Sequence, residues 1–216
     1  MCLLKIVLKP VSMISEPLTA DVLFGHICWT IKHTKGEDDL NNFLYLFNNG
    51  NPPFLLSDAF ISGMIPKPIL PLKEIIYNKE APKDSTLTEI KEGKKIKKID
   101  FIPLNIFATH QNEYKNGSTI NNEIISYIKN NKSRSEFAKV ITTRTMINRL
   151  TSCAAESALF TEEYTAYRDD ADFTVYLKIF NNDYGRNWFE NILSIIGKTG
   201  IGKDKSIGKG DYEIKI

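Results

Sequence analysis

The chain has 216 residues, 42% hydrophobic, 25% charged and 11% aromatic, which fits one large domain or two small ones and excludes a disordered, collagenous or coiled-coil chain. Its three cysteines, Cys2, Cys28 and Cys153, form no C-x-x-C pair, which excludes a disulfide framework and a cysteine-rich zinc site and makes a reducing cytoplasm the expected compartment. Net charge is only +2, yet residues 73–98, 129–149 and 197–210 carry +3, +5 and +3 and leave −9 on the other 155 residues, which fits either a polyanionic partner or three separate solvated faces.

Leu4, Ile6 and Leu8 alternate with Lys5 and Lys9 ahead of Pro10 and predict a half-buried first strand. The run from Leu3 to Leu8 is too short and too charged for a signal-peptide core, and no later run reaches 18 apolar residues, so neither secretion nor a membrane span is expected. Thr19 as cap, Asp21 in the first turn and the stripe Leu23, Phe24, Ile27, Cys28, Ile31 before Gly36 predict an amphipathic helix. Leu40, Phe43, Leu44 and Phe47 predict a second helix that ends at Asn49-Gly50. Prolines 52, 53, 66, 68 and 71 then punctuate an extended stretch containing Phe54 to Ile61. Residues 73–172 are polar and rich in Lys and Asn, and read as a long, partly mobile functional insertion.

Phe173 to Phe180 predicts a strand, Asn182 or Asp183 a cap, and Trp188, Phe189, Ile192, Leu193 and Ile196 a helix stopped by Gly197. Tyr212, Ile214 and Ile216 alternate as a last strand. Without the insertion the order is strand, helix, extended segment, strand, helix, strand: an α+β, ferredoxin-like (RRM-like) core made of residues 1–72 and 173–216.

Between the last helix and strand, residues 197–210 read Gly-Lys-Thr-Gly-Ile-Gly-Lys-Asp-Lys-Ser-Ile-Gly-Lys-Gly. Gly197 to Asp204 nearly spells a nucleotide P-loop, but Asp204 stands where a Ser or Thr must bind magnesium, and the segment leaves a helix instead of opening one. Gly200, Gly202, Gly208 and Gly210 allow close backbone approach, while Lys203, Lys205 and Lys209 offer point charges and Ser206 a hydroxyl to phosphates. The alternative is a wet hairpin connection.

This loop resembles the glycine-rich loop of the RAMP (repeat-associated mysterious protein) superfamily of CRISPR proteins, in the branch that caps the 5′ end of the guide RNA in type III-A effector complexes. Residues 21–31, residues 53–71 and the stretch Arg144-Thr-Met-Ile-Asn-Arg-Leu-Thr151, with Leu159-Phe160 beyond, resemble further family stretches in the family's order. Asn148 stands where Asp is frequent and Ser152 where Gly is common. On this resemblance, the family's usual second ferredoxin-like domain after this loop is expected to be missing from the chain. The resemblance implies a non-catalytic subunit without cofactor or metal. It would hold the 5′ handle of the guide RNA, contact the large cyclase subunit and the first backbone RAMP subunit, and reach target RNA near an inserted thumb.

Arg144 and Arg149 are two of only five arginines beside 23 lysines, and planar bidentate binding to phosphate favours Arg. Their alternative is an ion pair with Glu136 or Glu156. Phe101, Phe107 and Tyr114 are candidate base-stacking platforms in the insertion, or its packing residues. A different class of function, metal-independent guide-processing RNA cleavage, would use His26 or His33, seven residues apart and placed with Trp29 and Thr30 away from the main apolar stripe. The consecutive Glu37, Asp38 and Asp39 diverge and suit a solvated helix start better than a metal nuclease.

Overall fold

In the computed structural model, residues 2–15, 18–69, 91, 94–110, 117–130, 137–202 and 204–216 are described. The chain divides into two compact units, one of Met1–Ser62 with Ser135–Ile216 and the other of Gly63–Arg134. The sequence reading expected the divisions at 72/73 and 172/173.

In the first unit, strand β1 (Cys2–Pro10) buries Ile6 and Leu8 and exposes Lys5 and Lys9, as period-two alternation demands. Helices α1 (Ala20–Lys35) and α2 (Glu37–Asn48) follow, hinged at Gly36 with φ +104°, a backbone conformation that favours glycine. Thr19 stands at the N-cap position of α1, yet its side chain makes no capping bond. The carboxylate of Asp58 accepts from the Ala20 N–H at 2.7 Å instead, so a residue 38 positions away completes the helix end. Glu37, Asp38 and Asp39 form the exposed first turn of α2, where the helix dipole favours them.

Strands β2 (Phe54–Leu56) and β3 (Phe60–Ile61) both pair with β8 (Phe173–Ile179), and β9 (Tyr212–Lys215) pairs with β1. The sheet order is β2-β8-β1-β9, with all pairings antiparallel. The register sets Leu4 opposite Leu177, Ile6 opposite Val175 and Leu8 opposite Phe173. Helix α5 (Arg186–Thr199) joins α1 on the core, where Phe189, Ile192, Leu193 and Ile196 meet Leu23, Ile27 and Ile31. Each of these buried side chains contributes roughly 1.5–3 kcal/mol. An aromatic cluster centred on Phe43 ties α2 to α5: its ring lies 5.9 Å from Phe24, 6.0 Å from Phe54 and 6.1 Å from Trp188.

Two expectations at this helix are corrected. Neither Asn182 nor Asp183 caps it, because Asn181 caps a separate 3-10 turn (Asn182–Tyr184) through Asp183 N–H, and Gly185 precedes the helix. Gly197 does not stop it either. The helix runs on to Thr199, and β9 packs directly on the turn at Gly197, where a Cβ would stand 3.2 Å from the Tyr212 carbonyl oxygen. Gly200, at φ +75°, is the residue that ends it.

The segment expected as one insertion contains two different structures. Strands β4 (Met64–Pro66) and β5 (Phe101–Pro103) pair with Ile65 opposite Ile102. With helices α3 (Leu104–His110) and α4 (Gly117–Asn130) they form the second unit around Ile96, Ile102, Ile106 and Ile124. Strands β6 (Phe137–Asn148) and β7 (Cys153–Tyr167) form a long antiparallel hairpin that belongs to the first unit. Its root is fixed by Ile14, whose N–H and C=O bond to Thr165 at 2.9 and 2.8 Å. At its tip, Asn148 Oδ1 accepts from Leu150 N–H at 2.9 Å, a bond that an Asp carboxylate would make equally well. Ser152 there takes φ +54°, which explains why glycine suits that position. No helix among the described residues is long and apolar enough to cross a membrane.

Candidate functional site

The glycine-lysine loop leaves α5 at Gly200 and enters β9, with its two ends drawn together. Ile201 N–H donates to the Gly210 carbonyl at 2.8 Å, and Gly210 N–H donates to the Met13 carbonyl at 3.0 Å. A Cβ on Gly210 would lie 1.8 Å from the Ile201 carbonyl oxygen. A Cβ on Gly200 would also be crowded, 3.1 Å from both Asp211 Oδ1 and the Lys205 Cβ. These two glycines therefore close the loop. Gly208 has no heavy atom within 4 Å of such a Cβ and Gly202 only Ser15 Oγ at 3.6 Å, so the open backbone is theirs. Between them, Lys205–Ile207 forms a 3-10 turn with Ser206 exposed, and Lys203 lies outside the described residues.

Helix α1 supports one side of the loop. His26 Nε2 accepts from Gly202 N–H at 3.1 Å, so the ring is neutral with that nitrogen unprotonated. Burial, and then the nearby Lys205 ammonium, hold the imidazole below its ordinary value. Thr30, expected on the polar face, is buried, and its hydroxyl donates to the His26 carbonyl at 2.8 Å. His33 is exposed against the Trp29 ring, 4.1 Å between centroids, and Lys205 Nζ lies 4.3 Å from the Trp29 centroid.

The hairpin supports the other side. Direct cross-strand pairing puts Val140, Thr142 and Arg144 on one face with Phe160, Glu162 and Tyr164. Arg144 Nη1 lies 2.7 Å from Glu162 Oε2 and 3.4 Å from Asp204 Oδ1, and Nη2 donates to the Tyr164 hydroxyl. That hydroxyl is 2.7 Å from Glu162 and 3.0 Å from Asp204, and has one proton to give to either. Burial, followed by these two carboxylates, raises the Tyr164 phenol above its ordinary value. Lys209 Nζ stands 5.2 Å from the Tyr164 ring centroid.

The expected arginine pair is thus separated. Arg144 carries ion pairs with Glu162 and Asp204, while Glu136 and the Glu156 side chain, the partners expected from the sequence, lie outside the described residues. Arg149 is exposed in the tip turn, about 15 Å further along the hairpin at strand rise. Of the expected stacking residues, Phe101 and Phe107 are half-buried in the second unit, Phe107 against the isoleucine cluster, and Tyr114 lies outside the described residues. Among the described residues no group of three His, Cys, Asp or Glu side chains could hold a metal ion. Glu162 and Tyr164 were not anticipated, although Phe160, Glu162 and Tyr164 share the strand period with Arg144 across the turn.

The His26 contact gives the site a pH dependence. With the folded-state value depressed, the unfolded chain binds more protons between that value and about 6.5, so stability rises with pH through this window and is lost below it. His26→Ala removes the effect. The wild-type advantage in melting temperature over this variant should shrink from about pH 7.5 to about pH 5, and a constant gap would count against the His26–Gly202 contact.

The sequence matches the RAMP superfamily over residues 12–213. A chain in the crystal structure of a Csm1-Csm4 cassette in complex with pppApA is similar in fold, with TM-score 0.57 and 16% identity over 98% of this chain and 69% of that one. A chain in the crystal structure of a Csm3-Csm4 subcomplex of the type III-A CRISPR-Cas interference complex gives 0.58 and 18%, over 98% and 68%. A chain of a type III-B Cmr-beta complex bound to cognate target RNA gives 0.51 and 10%, over 99% and 58%. A search of the curated proteins finds no match. The match across nearly the whole chain, together with this shared fold, shows that the protein belongs to the RAMP superfamily.

Proposed function

We propose that this chain is a non-catalytic RNA-binding subunit of a type III-A CRISPR effector complex, similar to Csm4. On this reading the sheet order β2-β8-β1-β9, with α1 and α5 as crossovers, is a ferredoxin-like core. The loop 200–210 holds the 5′ handle of the guide RNA. The flanks contact the large cyclase subunit on one side and the backbone subunit, Csm3 in the related complexes, on the other. Residues 73–172 supply the thumb that reaches target RNA.

The observation that carries this reading is the loop itself within a RAMP chain. Open backbone at Gly202 and Gly208 stands beside two partly exposed lysines, Lys205 and Lys209. Phosphate is served by both features: a chain without side chains that a ligand can approach closely, although the Gly202 and Gly208 N–H groups are already bonded to His26 and Lys205, and mobile point charges. Arg144 contributes indirectly, because its pairing with Glu162 and Asp204 offsets two carboxylates that would repel a phosphate.

The enzyme alternative asks His26 or His33 to move a proton at a scissile phosphate. His26 Nε2 already accepts from the loop backbone, which gives that ring a supporting task. Incubated with labelled repeat RNA, the full chain is expected to retain the RNA and leave it intact. Specific cleavage that disappears in His26→Ala or His33→Ala would replace the structural subunit with a ribonuclease.

A further inference from the structure

Helix α1 presents to solvent two rings that the core does not use. Trp29 is 43% exposed, and His33, one turn on, packs its imidazole against the indole. A lone exposed tryptophan would need no explanation. Here, however, Lys205 reaches over from the loop to place its ammonium on the indole, and the loop backbone is tied to the same helix by His26, three residues before Trp29. An aromatic surface, a cation and the open backbone at Gly202 therefore lie within about one helical turn of each other.

We infer that Trp29, backed by His33, is a stacking platform for one unpaired nucleobase of the RNA strand whose phosphate contacts the loop at Lys205. This rests on the reading of the loop as an RNA site, and it adds the base-contacting element that phosphate contacts alone lack. A single strand is held by charge along its backbone and by π-faces under its bases, and an indole accepts any base because every base has such a face. In the free protein the ammonium of Lys205 covers the indole. When a base takes that place, the ammonium swings to the adjoining phosphate, so a cation–π contact is exchanged for a charge-assisted one. The surroundings favour nucleotide over protein: His33 packs against the indole and the Lys205 ammonium lies over it, whereas the centre of a protein interface is depleted of charge.

The chain has two tryptophans, so Trp188→Phe leaves Trp29 as the only indole reporter. Two probes of equal length are titrated into the full chain: an oligouridylate of about eight nucleotides, within the usual single-strand site size, and the corresponding abasic ribose-phosphate strand. The oligouridylate is expected to quench Trp29 fluorescence saturably, and the abasic strand to bind without quenching. With Trp188 intact, Trp29→Ala should weaken oligouridylate binding about tenfold and leave abasic binding unchanged, while Trp29→Phe should retain most of the affinity. Binding of both strands without quenching, or equal weakening of both by Trp29→Ala, overturns the platform and leaves the phosphate site standing. Failure of both strands to bind the wild-type chain overturns the RNA reading and the platform with it. Unchanged RNA affinity in Trp29→Ala, with assembly onto partner subunits impaired, overturns the platform in favour of a protein contact.

Discussion

Gly210→Ala is expected to destabilise the protein by about 3–4 kcal/mol and to abolish the ordered loop. Gly210 has φ +73° and is buried, and a Cβ would stand 1.8 Å from the Ile201 carbonyl oxygen and 3.0 Å from its carbon. The left-handed backbone alone costs an L-residue about 1–2 kcal/mol. Moving the chain aside then breaks the bonds to Ile201 and Met13, each worth about 1 kcal/mol net. Both obstructing atoms are backbone, so no side-chain rotation relieves the clash. Gly202→Ala is the control: its Cβ meets nothing closer than Ser15 Oγ at 3.6 Å, so only the backbone strain of about 1–2 kcal/mol applies. Denaturant unfolding of the two variants separates these roles, and equal losses would show that the loop is not closed as described.

The elements around the main core were legible because each has one dry face. Ile6 and Leu8 in β1, Leu23, Ile27 and Ile31 in α1, and Phe189, Ile192, Leu193 and Ile196 in α5 repeat at the period of their element. The β6–β7 hairpin was not legible for the converse reason. Val140, Thr142 and Arg144 are only half-buried while Ile141, Thr143 and Thr145 face solvent, so neither face carries a continuous apolar signal. The helix end at Gly197 was misread because a glycine that admits a neighbouring strand looks in sequence like a glycine that stops a helix. In the site, the lysine and glycine content was plain, but not the division of labour among the glycines, which depends on Ile201, Met13 and Asp211 folding back. Nor could the partners of Arg144 be read locally, since Asp204 is 60 residues away and Glu162 is reached only through the hairpin register.

The lysines of the loop carry the central claim. Replacing Lys203, Lys205 and Lys209 together by Ala should leave folding stability within about 1 kcal/mol, because Lys205 and Lys209 are themselves partly exposed and cation–π contacts of solvated ammonium groups contribute little. Single-stranded RNA binding should change in a way that neutral contacts cannot imitate. Each phosphate neutralised by a lysine releases condensed counterions, and the loss of each such contact flattens the log-log salt dependence of binding by about 0.7. The most direct measurement is therefore RNA affinity as a function of salt for the wild type and the triple variant, with assembly onto partner subunits followed separately. A slope reduced by about 2, with assembly intact, is the predicted result. An unchanged slope with impaired assembly would contradict it and make the loop a protein interface.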